Sequence, residues 1–565
     1  MFVGNSGSGK TSLVFEPLIA KDIEKKYFYR EVSKEMGFTA LKTGIAAING
    51  PYDNDYLNKN FSLNMLVPTY GKEDVFKAYM KKMILDTSST TTYRDCGVTV
   101  MSPDREIIDH MIDVADNFGI TYNIIDPSDS NSVGLNPFVY EDTNKIAITI
   151  SSALKTMMEI STDKDNEILR ESIVVQAIEN VAILLKEIYP RMHEGAIPNL
   201  EDMLQAFNNF DIIEKMCDIL SHDEVLSKKY QTQIAYFKKN FYKDGSGRKT
   251  IESYIDVVTN QLDKLLRLSG VKSILCNRYQ NINFDEMLAN ADVTFICTRR
   301  GDLGASTSRA FGLFFLISMQ DAVLRRPGTE KSRVPNFLYI DEFPDFICRA
   351  TEPMFTMYRK YKIGTTISAQ NLAQLEVQGS KQNLKQTILA NCASKIFMGG
   401  GNIEELNWWE SEFGQKREWV MSNTYDSSND TYDSKHGGIS WSFIPNFKAG
   451  KLQALNLKSC AYKIRNDSGI AMVGQGDMNF LDSKYKEPAK IKTFDFGGFS
   501  DGVTTATEDY ENGTPKKKKF NPNKLDFKDD RNEFNPVQTD TTDSSYLFDN
   551  EDAIVVNLKQ KKKNS

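Results

Sequence analysis

The sequence predicts an α/β fold with an all-α domain inserted in it and a disordered C-terminal tail. Three observations lead there. A glycine-rich pattern, G-x-x-x-x-G-K-T, opens the chain at Gly4. Strand and helix patterns alternate on both sides of a long helical block. Apolar residues thin out after about Ser483. At 565 residues the chain is too long for one compact core, so two folded domains and a tail are expected.

The first part, 1–141, reads as α/β. Val98–Met101 is a strand, and Glu106–Phe118 is a helix with Ile107, Ile108, Met111, Ile112 and Ala115 on one side. Gly119 ends that helix, and Tyr122–Ile125 is the next strand, giving a β-α-β unit with parallel strands. The stretch from Tyr29 to Tyr93 reads as an insertion. From 142 to 280 helical periodicity dominates: Ile168, Ile173, Val174, Ala177, Ile178, Val181 and Leu184 recur at helical spacing. Asn199 suits an N-cap, Gly245-Ser-Gly-Arg248 a turn, and Ile251–Leu268 a further helix.

Alternation resumes over 281–483. Strand Val293–Cys297 is followed by helix Ser306–Leu324, which Pro327-Gly328 stops. Strand Asn336–Ile340, helix Glu352–Tyr361 and strands Ile363–Ile367 and Ser394–Met398 complete it. The tail, 484–565, holds Lys516–Lys519, acidic patches and Lys561–Lys563, and buries too little apolar area to offset its ordering entropy.

Composition narrows the function. A net charge of −7 argues against nonspecific coating of DNA but leaves room for a local basic site. Seven cysteines without a C-x-x-C pair suit a reducing compartment, and four scattered histidines make no metal pattern. The most apolar run, Ala310–Met319, is half the roughly 20 residues a bilayer span needs.

Gly4-Asn5-Ser6-Gly7-Ser8-Gly9-Lys10-Thr11, with Ser12 after it, is a P-loop pattern. Its glycines let backbone amides face phosphates, Lys10 supplies charge to the β- and γ-phosphates, and the Thr11 hydroxyl can ligate Mg²⁺. A chance match of a Gly/Ser-rich loop is the bland alternative. Phe337-Leu-Tyr-Ile-Asp341-Glu342 is an apolar strand ending in two acids. Asp341 suits Mg²⁺, while Glu342, turned the other way by strand alternation, suits the base that activates water. Alone such a run is common, but beside a P-loop it gains meaning. Gln370, just past a strand, could read the γ-phosphate or simply bond backbone. Arg359 suits an arginine acting on a neighbour's ATP, or a charge at a helix C-terminus, with Arg299, Arg300 and Arg309 as other candidates. Trp408-Trp409 reads as a buried aromatic pair rather than a base-stacking platform.

Five pieces in order resemble the TraG/TraD-type coupling proteins of conjugative type IV secretion, among the FtsK/HerA-like motor ATPases. They are the P-loop; Ile125-Asp-Pro127 with Leu135-Asn-Pro-Phe138; Gly304–Gly312; Leu338–Pro344; and Ile367–Leu375. The resemblance spans about Gly4 to Leu481 and implies a RecA-like P-loop NTPase domain with an all-α insertion. It implies ATP and Mg²⁺ as ligands, with Lys10, Thr11, Asp341, Glu342 and Gln370 as the site and Arg359 acting in trans. It implies a homo-hexamer on the cytoplasmic face of the inner or plasma membrane that passes single-stranded DNA with its bound relaxase to the channel proteins. The pilus-assembly and export ATPase of the same machinery, and a non-hydrolysing cargo receptor, are alternative readings. Family members carry N-terminal transmembrane helices and a full strand before the P-loop. Here only Met1-Phe-Val3 precede Gly4, so a fragment or a late start site is expected, with membrane helices absent from this chain and weak ATP binding.

Overall fold

The computed structural model describes residues 1–30, 95–159, 167–330, 332–376, 384–424, 436–465 and 469–487. Most of the insertion expected between Tyr29 and Tyr93, and the tail beyond residue 487, lie outside the described residues. The chain is followed a few residues into the stretch expected as tail: Ser483–Lys486 form a 3-10 turn that buries Tyr485.

Among the described residues the central sheet has nine strands: β1 (Phe2–Val3), β2 (Gly97–Ser102), β3 (Tyr122–Ile125), β4 (Val293–Cys297), β5 (Asn336–Ile340), β6 (Ile363–Ala369), β7 (Lys395–Phe397), then β10 (Ser459–Arg465) and β11 (Ala471–Asp477). Their order is β11-β10-β7-β1-β6-β5-β2-β4-β3. The pairs among β1 to β7 are parallel, and β10 and β11 extend the edge antiparallel. Short as it is, β1 pairs on both sides, with Val3 level with Ala369 and with Phe397. It is central, as expected. A separate antiparallel ribbon, β8 (Gln415–Thr424) with β9 (His436–Pro445), was not foreseen, nor were β10 and β11.

Strand alternation divides the core between two faces. Phe2, Val98, Val100, Phe295 and Tyr339 point toward helix 16–30 and helix Arg105–Asn117. Val3, Met101, Ile296, Leu338 and Ile340 point the other way, toward helix Arg300–Leu324 and the helical block. Among the described residues that block contains helices and no strand between Thr143 and Leu275. Its helix Glu167–Met192 buries Val174, Ala177, Ile178, Val181, Leu184, Leu185 and Ile188, packed on Thr143–Glu159 and Phe210–His222. Asn199 caps Leu200–Asn208 as the sequence indicates: it accepts from Glu201 and Asp202 N–H, and Asp202 returns a bond to Asn199 N at 2.8 Å.

Two helices differ from expectation. The segment expected as helix Glu352–Tyr361 breaks into Pro353–Thr356 and a 3-10 turn, Tyr358–Tyr361. Met357, at φ −118°, leaves the helical path, and the Tyr358 ring becomes fully buried. Helix Arg300–Leu324 starts six residues early and is kinked at Gly304, whose φ of 74° and ψ of 158° only glycine adopts freely. Among the described residues no helix is long and apolar enough to cross a membrane.

Candidate nucleotide-binding site

The site lies where the sheet's parallel strands end. Gly7 and Gly9 take φ of 78° and 83°, and a Cβ at Gly9 would sit 2.5 Å from Leu13. Glycine is therefore required there for the loop to curl and the helix to start at Lys10. The first turn, Lys10–Phe15, is wound as a π-helix before the α-helix over 16–30. Phe15 packs edge-on against Phe2 and Tyr339, and the Tyr339 hydroxyl donates to Asp22. These contacts tie the loop and its helix to β5, the strand carrying the acid pair.

Register explains the geometry. Ile340 is level with Ile367, so Asp341 falls beside Ser368, itself level with Phe2 of β1. The loop strand and the acid strand are thus not neighbours; β6 lies between them. Their tips still converge, because the Thr11 hydroxyl donates to Asp341 Oδ2 at 2.8 Å. Ser368, fully buried, donates to Asp341 Oδ1 at 2.5 Å and accepts from Glu342 N at 2.9 Å. Sequence reasoning gave Ser368 no role, although it stands in the Ile-Ser-Ala-Gln run.

Glu342 leaves the strand in the left-handed region, φ 49°, which turns its carboxylate away from Asp341. Gln370 Nε2 donates to its Oε1 at 3.4 Å. Burial, then the charges of Asp341 and Asp345, push the Glu342 carboxyl above its ordinary range. Lys10 donates to Gly4 O at 2.6 Å and Asn5 O at 3.0 Å. Burial lowers its pKa, against the pull of Asp341 and Glu342.

These groups line a cavity of about 1000 Å³ that takes in Ser6, Gly7, Gly9, Lys10, Thr11 and Ser12, with Asp341, Glu342 and Gln370. Gly4, Asn5 and Ser8 belong to the loop but not to the cavity wall. The far wall was not anticipated. Helix Arg105–Asn117 turns Glu106, His110, Asp113 and Asn117 to the cavity, a polar stripe at helical spacing that the sequence offered. Phe480 and Tyr485 close the end and gave no sequence signal. His110 Nδ1 lies 2.8 Å from Glu16 on the loop's helix, and that hydrogen bond raises its pKa.

Do these residues fit a phosphate and a divalent cation? Among the described residues Ser8 Oγ is buried with no hydrogen-bond partner, inside a loop of positive-φ glycines at a helix N-terminus, which suits an anion. Thr11 and Asp341 bring a hydroxyl and a carboxylate to one point, the oxygen donors Mg²⁺ prefers when phosphates and water complete its shell. The fit is good.

The remaining candidates separate. Arg359 is exposed beside the N-terminal end of β6, at the opposite end of that strand from Gln370, and does not line the cavity. Arg299 is committed to the buried Asp126, at 2.8 and 2.9 Å. Arg309 donates to Ile347 O. Arg300 lies by Glu342, its Nη1 3.6 Å from Oε2. Trp409 is fully buried against Trp408, Phe397 and Phe413, in keeping with the core reading.

A P-loop on one strand and an acid pair two strands away, with a polar strand tip between, define a RecA-like P-loop NTPase. Residues 335–442 match the family model described as the TraM recognition site of TraD and TraG. No curated protein sequence matches the chain. Among solved structures it is similar to the bacterial conjugative coupling protein TrwBdeltaN70, unbound monoclinic form, at 14% identity over 74% of this chain and 84% of that one, TM-score 0.46. The plasmid coupling protein TrwB in complex with ADP and Mg²⁺ gives 13% over 73% and 84%, TM-score 0.42. VirB4 of Thermoanaerobacter pseudethanolicus gives 13% over 73% and 87%, TM-score 0.40.

Proposed function

We propose that this chain is an ATP-hydrolysing coupling protein that delivers relaxase-bound single-stranded DNA to a type IV secretion channel during conjugation. One observation carries the ATPase part: the 2.8 Å bond from Thr11 to Asp341, which joins the phosphate loop to the acid pair across 330 residues of sequence. The match of 335–442 to a TraG/TraD family model supports the coupling role.

The chemistry follows from the residues. Loop amides and the helix N-terminus hold the phosphates, and Lys10 exchanges its two carbonyl partners for phosphate oxygens. Thr11 and Asp341 would hold Mg²⁺, which when bound neutralises charge on the β- and γ-phosphates. Glu342 takes the proton of the attacking water. Its raised pKa brings it nearer neutrality and makes it a stronger base. Gln370, bonded to Glu342 at the tip of the intervening strand, is placed to report the γ-phosphate to β6. Arg359, exposed at the opposite end of β6, is available to a neighbouring copy in a homo-hexamer. We place this assembly on the cytoplasmic face of the plasma membrane.

The test is ATP hydrolysis by the chain with and without single-stranded DNA. Stimulation by DNA is expected. Hydrolysis indifferent to DNA would overturn the coupling role and favour the pilus-assembly and export ATPase instead.

A further inference from the structure

The general base is held on both carboxylate oxygens, from two different strand tips. Gln370 reaches Oε1 from β6. Arg300 stands 3.6 Å from Oε2, and the same Nη1 bonds Asp345 at 2.5 Å, three residues beyond Glu342. We infer that Arg300 is a positioning residue for Glu342, acting within its own chain rather than on a neighbour's nucleotide. The inference rests on Glu342 being the base.

The fold is built to aim Arg300. Asp126 at the tip of β3 is fully buried and grips Arg299 through two hydrogen bonds. Arg299 takes a left-handed φ of 47°, which turns the next residue toward the tip of β5. Arg300 N then bonds Pro103 O at 3.3 Å. The turn carrying Arg300 ends at Gly304, whose non-helical angles separate it from the rest of the helix. A polar chain therefore runs Asp126, Arg299, Arg300, Glu342 across three strand tips. The charged groups acting on Glu342 are Asp341, Asp345, Arg300 and Lys10. Of the two cations, Lys10 is bonded to loop carbonyls, which leaves Arg300 as the one beside the Glu342 carboxylate.

Magnitudes separate positioning from stability. Arg300 and Glu342 keep 45% and 36% of their side chains exposed, so the pair contributes little to folding. Displacing a base by about 1 Å, in contrast, can cost on the order of 100-fold in rate.

The experiment is steady-state ATP hydrolysis and equilibrium ATP binding by Arg300→Ala, Arg300→Lys, Asp345→Ala and the Arg300→Ala/Asp345→Ala double variant, beside Glu342→Gln. We expect Arg300→Ala to lower kcat about 10- to 100-fold, with ATP affinity within about twofold of the parent. Arg300→Lys should recover part of the loss. Asp345→Ala, which frees the guanidinium, should lower kcat, and the double variant should fall no further than Arg300→Ala. Mixing Arg300→Ala with Glu342→Gln chains should restore nothing, because no chain then carries both groups. An unchanged kcat, a loss confined to KM, or recovery on mixing would overturn the inference. If Arg300→Ala does not fold, Arg300→Lys and Asp345→Ala decide by the same split of kcat from affinity. A dead Glu342→Gln with normal Arg300→Ala sinks only this inference; an active Glu342→Gln sinks the base assignment itself.

Discussion

Ser368→Ala removes one oxygen and tests how the site is assembled. The Ser368 side chain is fully buried between the acid pair, donating to Asp341 Oδ1 at 2.5 Å and accepting from Glu342 N at 2.9 Å. Without it, Asp341 Oδ1 and Glu342 N keep each other at 3.1 Å, but the carboxylate loses its shortest donor. A hydrogen bond to a charged group contributes about 1.5–3 kcal/mol, and a buried partner left unsatisfied costs a similar amount. We therefore expect a stability loss of about 2 kcal/mol. Turnover should suffer more. Asp341 and Glu342 would each be free to shift by a fraction of an ångström, and such misplacement predicts a fall in kcat of about 10-fold or more. The assay pairs denaturant unfolding with ATP turnover on the same preparation. A variant that unfolds earlier yet turns over at the parent rate would refute the idea that Ser368 sets the acids for catalysis. A variant unchanged in both would refute the hydrogen-bond geometry.

Glu342→Gln should abolish turnover while ATP binding persists; undiminished turnover would mean another base or no hydrolytic role for this acid. Gln370→Ala should keep ATP affinity but lose the response of hydrolysis to single-stranded DNA, and a retained response would deny Gln370 its reporting role. Asp126 gives a pH prediction. Burial works to raise its carboxyl pKa, but bonds from Arg299, Ser128 N–H and Arg105 outweigh it and leave the net value depressed. A folded value below the ordinary carboxylate value of about 3.9 means the stabilisation is complete above that pH and is lost as pH falls through the depressed value. Acid unfolding of Asp126→Asn should lack that component. An acid limb identical to the parent's would contradict the assignment.

The parts of the fold most legible in sequence were those whose pattern is local. Tyr122–Ile125, Val293–Cys297 and Asn336–Ile340 are strands with the bounds their apolar runs announce, and Asn199 caps its helix as its neighbours indicate. The P-loop was legible because its glycines answer to backbone angles, not to partners. What the sequence hid depends on long-range pairing. Nothing local says that β6 lies between the loop strand and the acid strand, so the part of Ser368 could not be read. The break at Met357 accompanies the burial of Tyr358, and the ribbon of β8 and β9 was missed although Ile439-Ser-Trp-Ser-Phe443 alternates along β9. Among the arginines, charge and position suggested Arg359, with Arg299, Arg300 and Arg309 as other candidates. Only the structure separates Arg299 on Asp126, Arg300 by Glu342 and Arg359 at the far end of β6.

We propose that Thr11 and Asp341, 330 residues apart in sequence, hold one metal–nucleotide. Mn²⁺ binding in the presence of ATP, followed by electron paramagnetic resonance in the parent, Thr11→Ala, Asp341→Ala and the double variant, tests it most directly. Each single change should weaken Mn²⁺ binding, and the double should weaken it by less than the sum, because both residues serve one ion. Strictly additive losses, or undiminished binding in either single variant, would contradict the account.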